Sequence, residues 1–250
     1  MDAVRWRIVQ SILAGACGLA VGCGANPGGE ADAPPPANQW AAVREALVEE
    51  YFDAHPVFAV TAGRHEFDGR LPDWGSTGIE MEITRLKRAH SRAEAVVADG
   101  LSETARLERE ILMARMTRDL FWLEAAEAPF HNPAWYLDWI VDGLDPAPYL
   151  TRNYAPIETR LRAYVKYAQS VQKAIPQIRS NLRAPLSRPL LERGVGAFRG
   201  FADFFEQDVP AVFNGVGDAA RQEEFRTANA GAVRAMAELA EWLESQRGQA

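Results

Sequence analysis

The 250-residue chain is 48% hydrophobic and 24% charged, which fits one large or two small globular domains and excludes a disordered or fibrous protein. A formal net charge of −7 excludes a broad basic nucleic-acid surface. Two cysteines cannot build a disulfide framework or a four-thiolate zinc site, and four scattered histidines exclude a His-rich metal tract.

At the N-terminus, Arg5 and Arg7 precede the uncharged residues 8–22, and small residues surround Cys23. A basic head, a short apolar run and a small-residue cleavage site together describe a secretory signal, and the run falls short of the roughly 20 residues that span a bilayer. Leu19-Ala20-Val21-Gly22-Cys23 resembles the lipobox of bacterial lipoproteins. The resemblance implies diacylglyceryl transfer to the Cys23 thiol, cleavage after Gly22 and acylation of the new amine. Ala14-Gly15-Ala16-Cys17 is a decoy, because cleavage there would leave a much shorter apolar run. Cleavage after Gly22 removes Asp2, Arg5 and Arg7 and takes the net charge from −7 to −8. On what the resemblance implies, Cys17 leaves with the signal, Cys23 becomes the lipid attachment site and no thiol remains for catalysis or metal. Residues 24–38, rich in Pro and Gly, cannot pack a core. The expected organisation is a signal over 1–22, a flexible tether over 23–38 and an all-helical domain over 39–250.

Trp40, Val43, Leu47, Tyr51 and Phe52 recur at helical spacing. Thr77 and Glu80 fit a capping box for a second helix with the stripe Ile79, Ile83, Leu86, Ala93 and Val97, closed by Gly100. Leu112, Met116, Leu120 and Leu123 mark a third, with Arg106/Glu110 and Arg115/Asp119 as pairs four apart. From Pro156 a long stripe runs through Leu161, Tyr164, Ala168, Val171, Ile175 and Ile178, which Pro176 is expected to kink or restart. Leu191, Val195, Phe198, Phe205 and Val209 define the next helix. Asp218 is the expected N-cap of the last, whose stripe is Phe225, Ala232, Met236, Leu239 and Leu243. No segment alternates apolar and polar residues as a strand does, and no fixed-period repeat is present, so the fold class is all-α, an irregular multi-helix bundle.

Residues 63–78 and 128–153, rich in aromatics, Pro and Gly, are expected to line a surface groove. His65-Glu66-Phe67-Asp68 lacks the second histidine that a helical zinc motif requires, because residue 69 is Gly. A structural loop role for His65 is therefore expected. His90 sits on an apolar stripe as a boundary histidine, His131-Asn132-Pro133 starts a turn, and His55-Pro56 ends a helix where imidazole meets the dipole. None pairs with a nucleophile. Gly194-Val195-Gly196-Ala197-Phe198-Arg199-Gly200 follows no strand, so Gly196 and Gly200 point to close helix packing, or to a loosened helix, rather than a dinucleotide site. Trp135, Tyr136, Trp139 and Tyr149 are expected in the core or between helices rather than stacked on a ligand.

Taken together, the run from Ala54 to Asp73, containing Pro56, Ala59, Thr61, Gly63, His65, Asp68, Leu71 and Asp73, is similar to the N-terminal signature of the family catalogued as domain of unknown function 885. Asn132-Pro133 with Tyr136, then Arg152, Tyr154 and Arg160, then Ile175-Pro176 and Asn181-Leu182 follow in the family's order; Val60 between Ala59 and Thr61 is a small departure. Members of that family resemble helical zinc metallopeptidases, many of them secreted or lipid-anchored, whose His-Glu and Pro-Gly-His zinc motif lies in a C-terminal half. That motif is missing here, so no catalytic, cofactor-binding or metal residue is carried over, no cofactor is expected, and the chain is expected to be inactive alone. Two readings follow: a lipid-anchored, non-catalytic N-terminal portion of a metallopeptidase-like protein, truncated or split, or a complete helical lipoprotein that binds a ligand or partner. The expected partners are the envelope membrane through the anchor and a C-terminal half or a second copy, with no nucleic acid. On the first reading Leu239, Trp242 and Leu243 should be exposed.

Overall fold

A computed structural model describes residues 36–137 and 143–249; the expected signal, Cys23, the expected tether up to residue 35 and Trp139 lie outside them. Among the described residues there are nine α-helices and no strand. The fold is the expected all-α, irregular bundle. Helix α1 (Pro36–Ala54) begins three residues ahead of the expected domain start and is followed by the short α2 (Pro56–Thr61). Helices α3 (Ser76–Glu94) and α4 (Glu103–Leu120) form a hairpin against α1, and α4 runs into a π-helical turn at Phe121–Ala125. The short α5 (Ala128–His131) and α6 (Ala147–Thr151) lead to three long helices, α7 (Ile157–Asn181), α8 (Arg188–Phe213) and α9 (Ala219–Ser245). Helix α9 packs against both α8 and α7, and one continuous apolar cluster links this trio to the α1–α3–α4 group.

The apolar spacing accounts for most of these helices. Leu191, Val195, Phe198, Phe205 and Val209 of α8 are all buried, as are Phe225, Ala232, Met236, Leu239 and Leu243 of α9. Asp218 caps α9 by accepting from the Arg221 amide at 2.8 Å. Pro176 neither kinks α7 to a stop nor restarts it: the helix runs through to Asn181. Val171, Ala174, Ile175 and Ile178 are buried around the proline, and that packing offsets the roughly 3 kcal/mol a mid-helix proline costs.

Two expectations about α3 and one of the two alternatives for the α8 glycines are corrected. Helix α3 starts at Ser76 on Gly75, with no side-chain cap from Thr77, and ends at Glu94 rather than at Gly100. The helical frame is lost there, so Val96 turns inward while Val97 is exposed; Gly100, at φ +90°, belongs to the turn into α4. In α8, Gly196 and Gly200 have open space where a Cβ would stand, whereas a Cβ on Gly194 would meet Pro133 Cβ at 2.6 Å. The close approach is at Gly194.

The C-terminal helix is also corrected. Leu239 is 1% and Leu243 0% exposed, and Trp242 is half-buried beneath the Arg179 guanidinium, 5.4 Å from its ring centre. The last apolar stripe docks on α7 and α8, so α9 presents no open apolar face.

Candidate functional site

Helix α7 holds the segment after α2 with a row of polar side chains on one face. Ser170 Oγ donates to the Gly69 carbonyl at 2.7 Å. Two turns on, Gln177 accepts from the Trp74 amide and donates to Asp73 Oδ1 at 2.8 Å. One turn further, buried Asn181 donates to the Trp74 carbonyl at 2.6 Å and to Tyr136 Oη at 2.9 Å. Tyr136 in turn donates to the Pro129 carbonyl, and Tyr149 Oη accepts from the Gly69 amide. Spacings of seven and four residues keep Ser170, Gln177 and Asn181 on one side of a helix. Both aromatic segments are thereby fastened to one rigid element.

Gly69 is the tightest point of this attachment. Its φ is +81°, and a Cβ would lie 2.3 Å from Lys166 Cβ. Only glycine fits both the backbone and the space.

The clamped segment forms one edge of a groove of about 1440 Å³, bounded by the end of α1, by α3, and by α4 with its π-helical turn. Trp74, Met81, Trp122 and Trp135 supply apolar lining. At the floor, Glu82 of α3 accepts Arg85 Nε and Nη2, both at 2.6 Å, and His55 Nε2 faces its Oε1 at 3.2 Å. The His55 ring stacks on Tyr51 at 4.2 Å, and Arg115 donates to the Tyr51 hydroxyl while holding Asp119. Bidentate Arg92–Glu50 and the Arg70–Asp53 pair tie the upper edges to α1.

Burial alone would push the Glu82 carboxyl up, but the Arg85 bonds and His55 outweigh it and hold it at about 2. A carboxylate whose pKa is lowered from 4.5 stabilises the fold fully above that value and loses the contribution as pH falls towards 2. Wild type should therefore exceed Glu82→Gln in stability by about 3 kcal/mol near neutrality. Urea melts between pH 6 and pH 2 should show that difference shrinking to nothing at the acid end. A gap that stays constant with pH would show that the carboxylate charge is not what the site holds.

His65 takes a structural loop role: Nδ1 faces Asp68 Oδ1 at 3.1 Å, and the ring stacks on Tyr154 at 3.6 Å. Arg152 and Arg160 donate to the Thr61 and the Tyr149 and Leu150 carbonyls, serving the same corner. His90 lies 3.9 Å from Glu94, and His131 3.6 Å from Glu127. His55 does more than meet a helix end, because it pairs across the groove with Glu82. Residues 63–78 line the groove as expected through Trp74 and its neighbours. Among the described residues of 128–153 only Trp135 reaches it, and Tyr136, Leu144 and Tyr149 fill the core. The Arg115–Asp119 pair expected from its spacing of four is present at 3.1 Å, whereas Glu82 and Arg85, three apart on one helix, were not singled out in the sequence. Among the described residues no group of three or more His, Cys, Asp or Glu could hold a metal ion. The described residues therefore supply no set of ligands for the zinc shell that the family resemblance implies.

Residues 56–250 match the family model described as "Bacterial protein of unknown function (DUF885)", and the chain belongs to that family. No curated protein matches it. Among solved structures it is similar to "a putative lipoprotein of unknown function from Shewanella oneidensis", at 18% identity and a TM-score of 0.73, over 84% of this chain. That likeness shows the fold. The match spans 38% of the neighbour's own chain.

Proposed function

We propose, from family membership and the groove together, that this chain is a lipid-anchored, non-catalytic binding wall in the bacterial envelope, the N-terminal portion of a metallopeptidase-like arrangement. The groove between α1, α3 and α4 carries the reading. Its volume exceeds the roughly 300–1,000 Å³ usual for small-molecule sites, and its aromatic lining with alternating acids and bases suits an extended peptide. Its ionic floor is committed to internal pairs, an arrangement that positions a ligand rather than transforms it. The same fold recurring within a much longer chain supports a role as one wall of a larger cleft.

The anchor rests on the lipobox ending at Cys23 and accords with the lipoprotein description of the structural neighbour. Among the described residues no helix is long and apolar enough to cross a membrane. In detergent phase separation the wild-type protein should enter the detergent phase, and Cys23→Ser should move to the aqueous phase. An unchanged distribution would remove the anchor from the account.

A second reading, a complete binding module, is favoured by the buried Leu239 and Leu243, which leave no severed apolar face on α9. The readings share the groove and differ in whether a catalytic wall comes from elsewhere. Sequencing the DNA past the last codon separates them: a continuation encoding His-Glu and Pro-Gly-His supports the first. A fluorescently labelled library of unstructured octapeptides tests what they share. Binding that weakens at least about tenfold in Trp122→Ala is expected, and absence of any binding would remove the groove as a peptide site.

A further inference from the structure

Helix α4 is apolar on two opposite sides. Leu112, Met116 and Leu120 face the core, while Leu107, Ile111 and, just past the helix end, Phe121 are 56%, 50% and 54% exposed. The outward row is Leu107, Ile111, Ala114, Arg118 and Phe121, at steps of four, three, four and three. That is the spacing of a seam along which one helix meets another, and here it extends for about 21 Å. An apolar stripe on both sides is the pattern of a helix covered on both sides.

We infer that this seam pairs with the same seam of a second copy, α4 against α4, antiparallel across a two-fold axis at Ala114. A two-fold contact must be self-complementary, and this face meets the requirement in charge and at its two apolar ends, with Ile111 falling opposite Thr117 of the partner subunit. About an axis at Ala114, Leu107 falls opposite Phe121 of the partner subunit, and Glu110 falls opposite Arg118 of the partner subunit. Each acid meets a base, twice over. A parallel pairing would instead set Glu110 against its own copy and Arg118 against its own copy. Ala114 is the smallest residue of the row and stands where the helix axes come closest. Arg118 holds Asp119 through Nε and Nη2, which leaves Nη1 for an acid on another chain. A bilayer is the poorer occupant: Arg118 interrupts the stripe, Glu103 and Glu110 flank it, and a net charge of −7 opposes anionic lipid.

Residues 36–250 contain the apolar core of the described residues, from Trp40 to Leu243, and are the piece to use. Sedimentation velocity over a concentration series should show a reversible monomer–dimer equilibrium with Kd of about 10 μM. Glu110→Arg and Arg118→Glu should each weaken it at least about tenfold. Mixing the two variants should restore dimers, because the reversed charges then match across the axis. Ile111→Asp should abolish association with helical content unchanged. A wild-type chain that stays monomeric, variants that associate like wild type, or a mixture that fails to pair would each overturn the proposal. So would monomeric binding to phosphatidylglycerol vesicles, which would assign the face to lipid. Peptide binding in the groove is measured separately on the monomeric Ile111→Asp variant, so failure of one proposal does not decide the other.

Discussion

Gly69→Ala should destabilise the protein by about 2–5 kcal/mol, the sum of two penalties that cannot relieve each other. A Cβ at φ +81° costs about 1–2 kcal/mol in backbone strain. The same Cβ at 2.3 Å from Lys166 Cβ adds overpacking of about 1–3 kcal/mol. The obstructing atom is next to the α7 backbone and cannot swing away as a side-chain tip could. Relief by moving the loop would break the Ser170 bond to the Gly69 carbonyl and the Gly69 bond to Tyr149. Thermal unfolding should show a midpoint about 10 °C lower. A shift of only a degree or two would mean that the loop is not held against α7 as described.

Asn181→Ala should cost about 2–4 kcal/mol, because a buried amide that fastens both aromatic segments is lost. The Trp74 carbonyl and Tyr136 hydroxyl each lose a donor in a place that water reaches poorly. Gln177→Ala, one turn back on the same row but at the surface, should cost less than about 1 kcal/mol although it removes two hydrogen bonds to the same segment. Chemical denaturation of both variants gives the comparison directly. Equal losses would show that burial is not what gives Asn181 its weight.

What could be read in the sequence follows from the range of the interactions. Helices α7, α8 and α9 were legible because their buried residues recur every three or four positions over six or seven turns. The end of α3 was not: a stripe extrapolated from Ile79 to Ala93 predicts Val97 buried, but the helix stops at Glu94 and the frame changes. The burial of Leu239 and Leu243 was misjudged because an apolar stripe shows that a helix must dock and not whether its partner is already present. The aromatic residues of 128–153 divide for a related reason. Tyr136 and Tyr149 have buried hydroxyl partners on other segments, a pairing that no local pattern reveals. The groove floor was the least legible feature. Glu82 and Arg85 are neighbours on α3, but His55 stands 27 residues earlier and meets them only because α1 packs beside α3. The polar row Ser170, Gln177 and Asn181 reads in isolation as an ordinary solvated face, and its role appears only once the loop it holds is in place.

The central claim is that the groove framed by α1, α3 and the α7-clamped segment is a peptide-binding wall that does not itself cut what it binds. Hydrogen–deuterium exchange with and without the octapeptide library, with the peptides recovered and weighed afterwards, tests both halves at once. Slower exchange is expected over Ser76–Glu94 and in the residue 70–75 segment, with unchanged exchange in α8 and α9 and peptides of unaltered mass. Protection confined to α8 and α9, no protection anywhere, or cleaved peptides would contradict it.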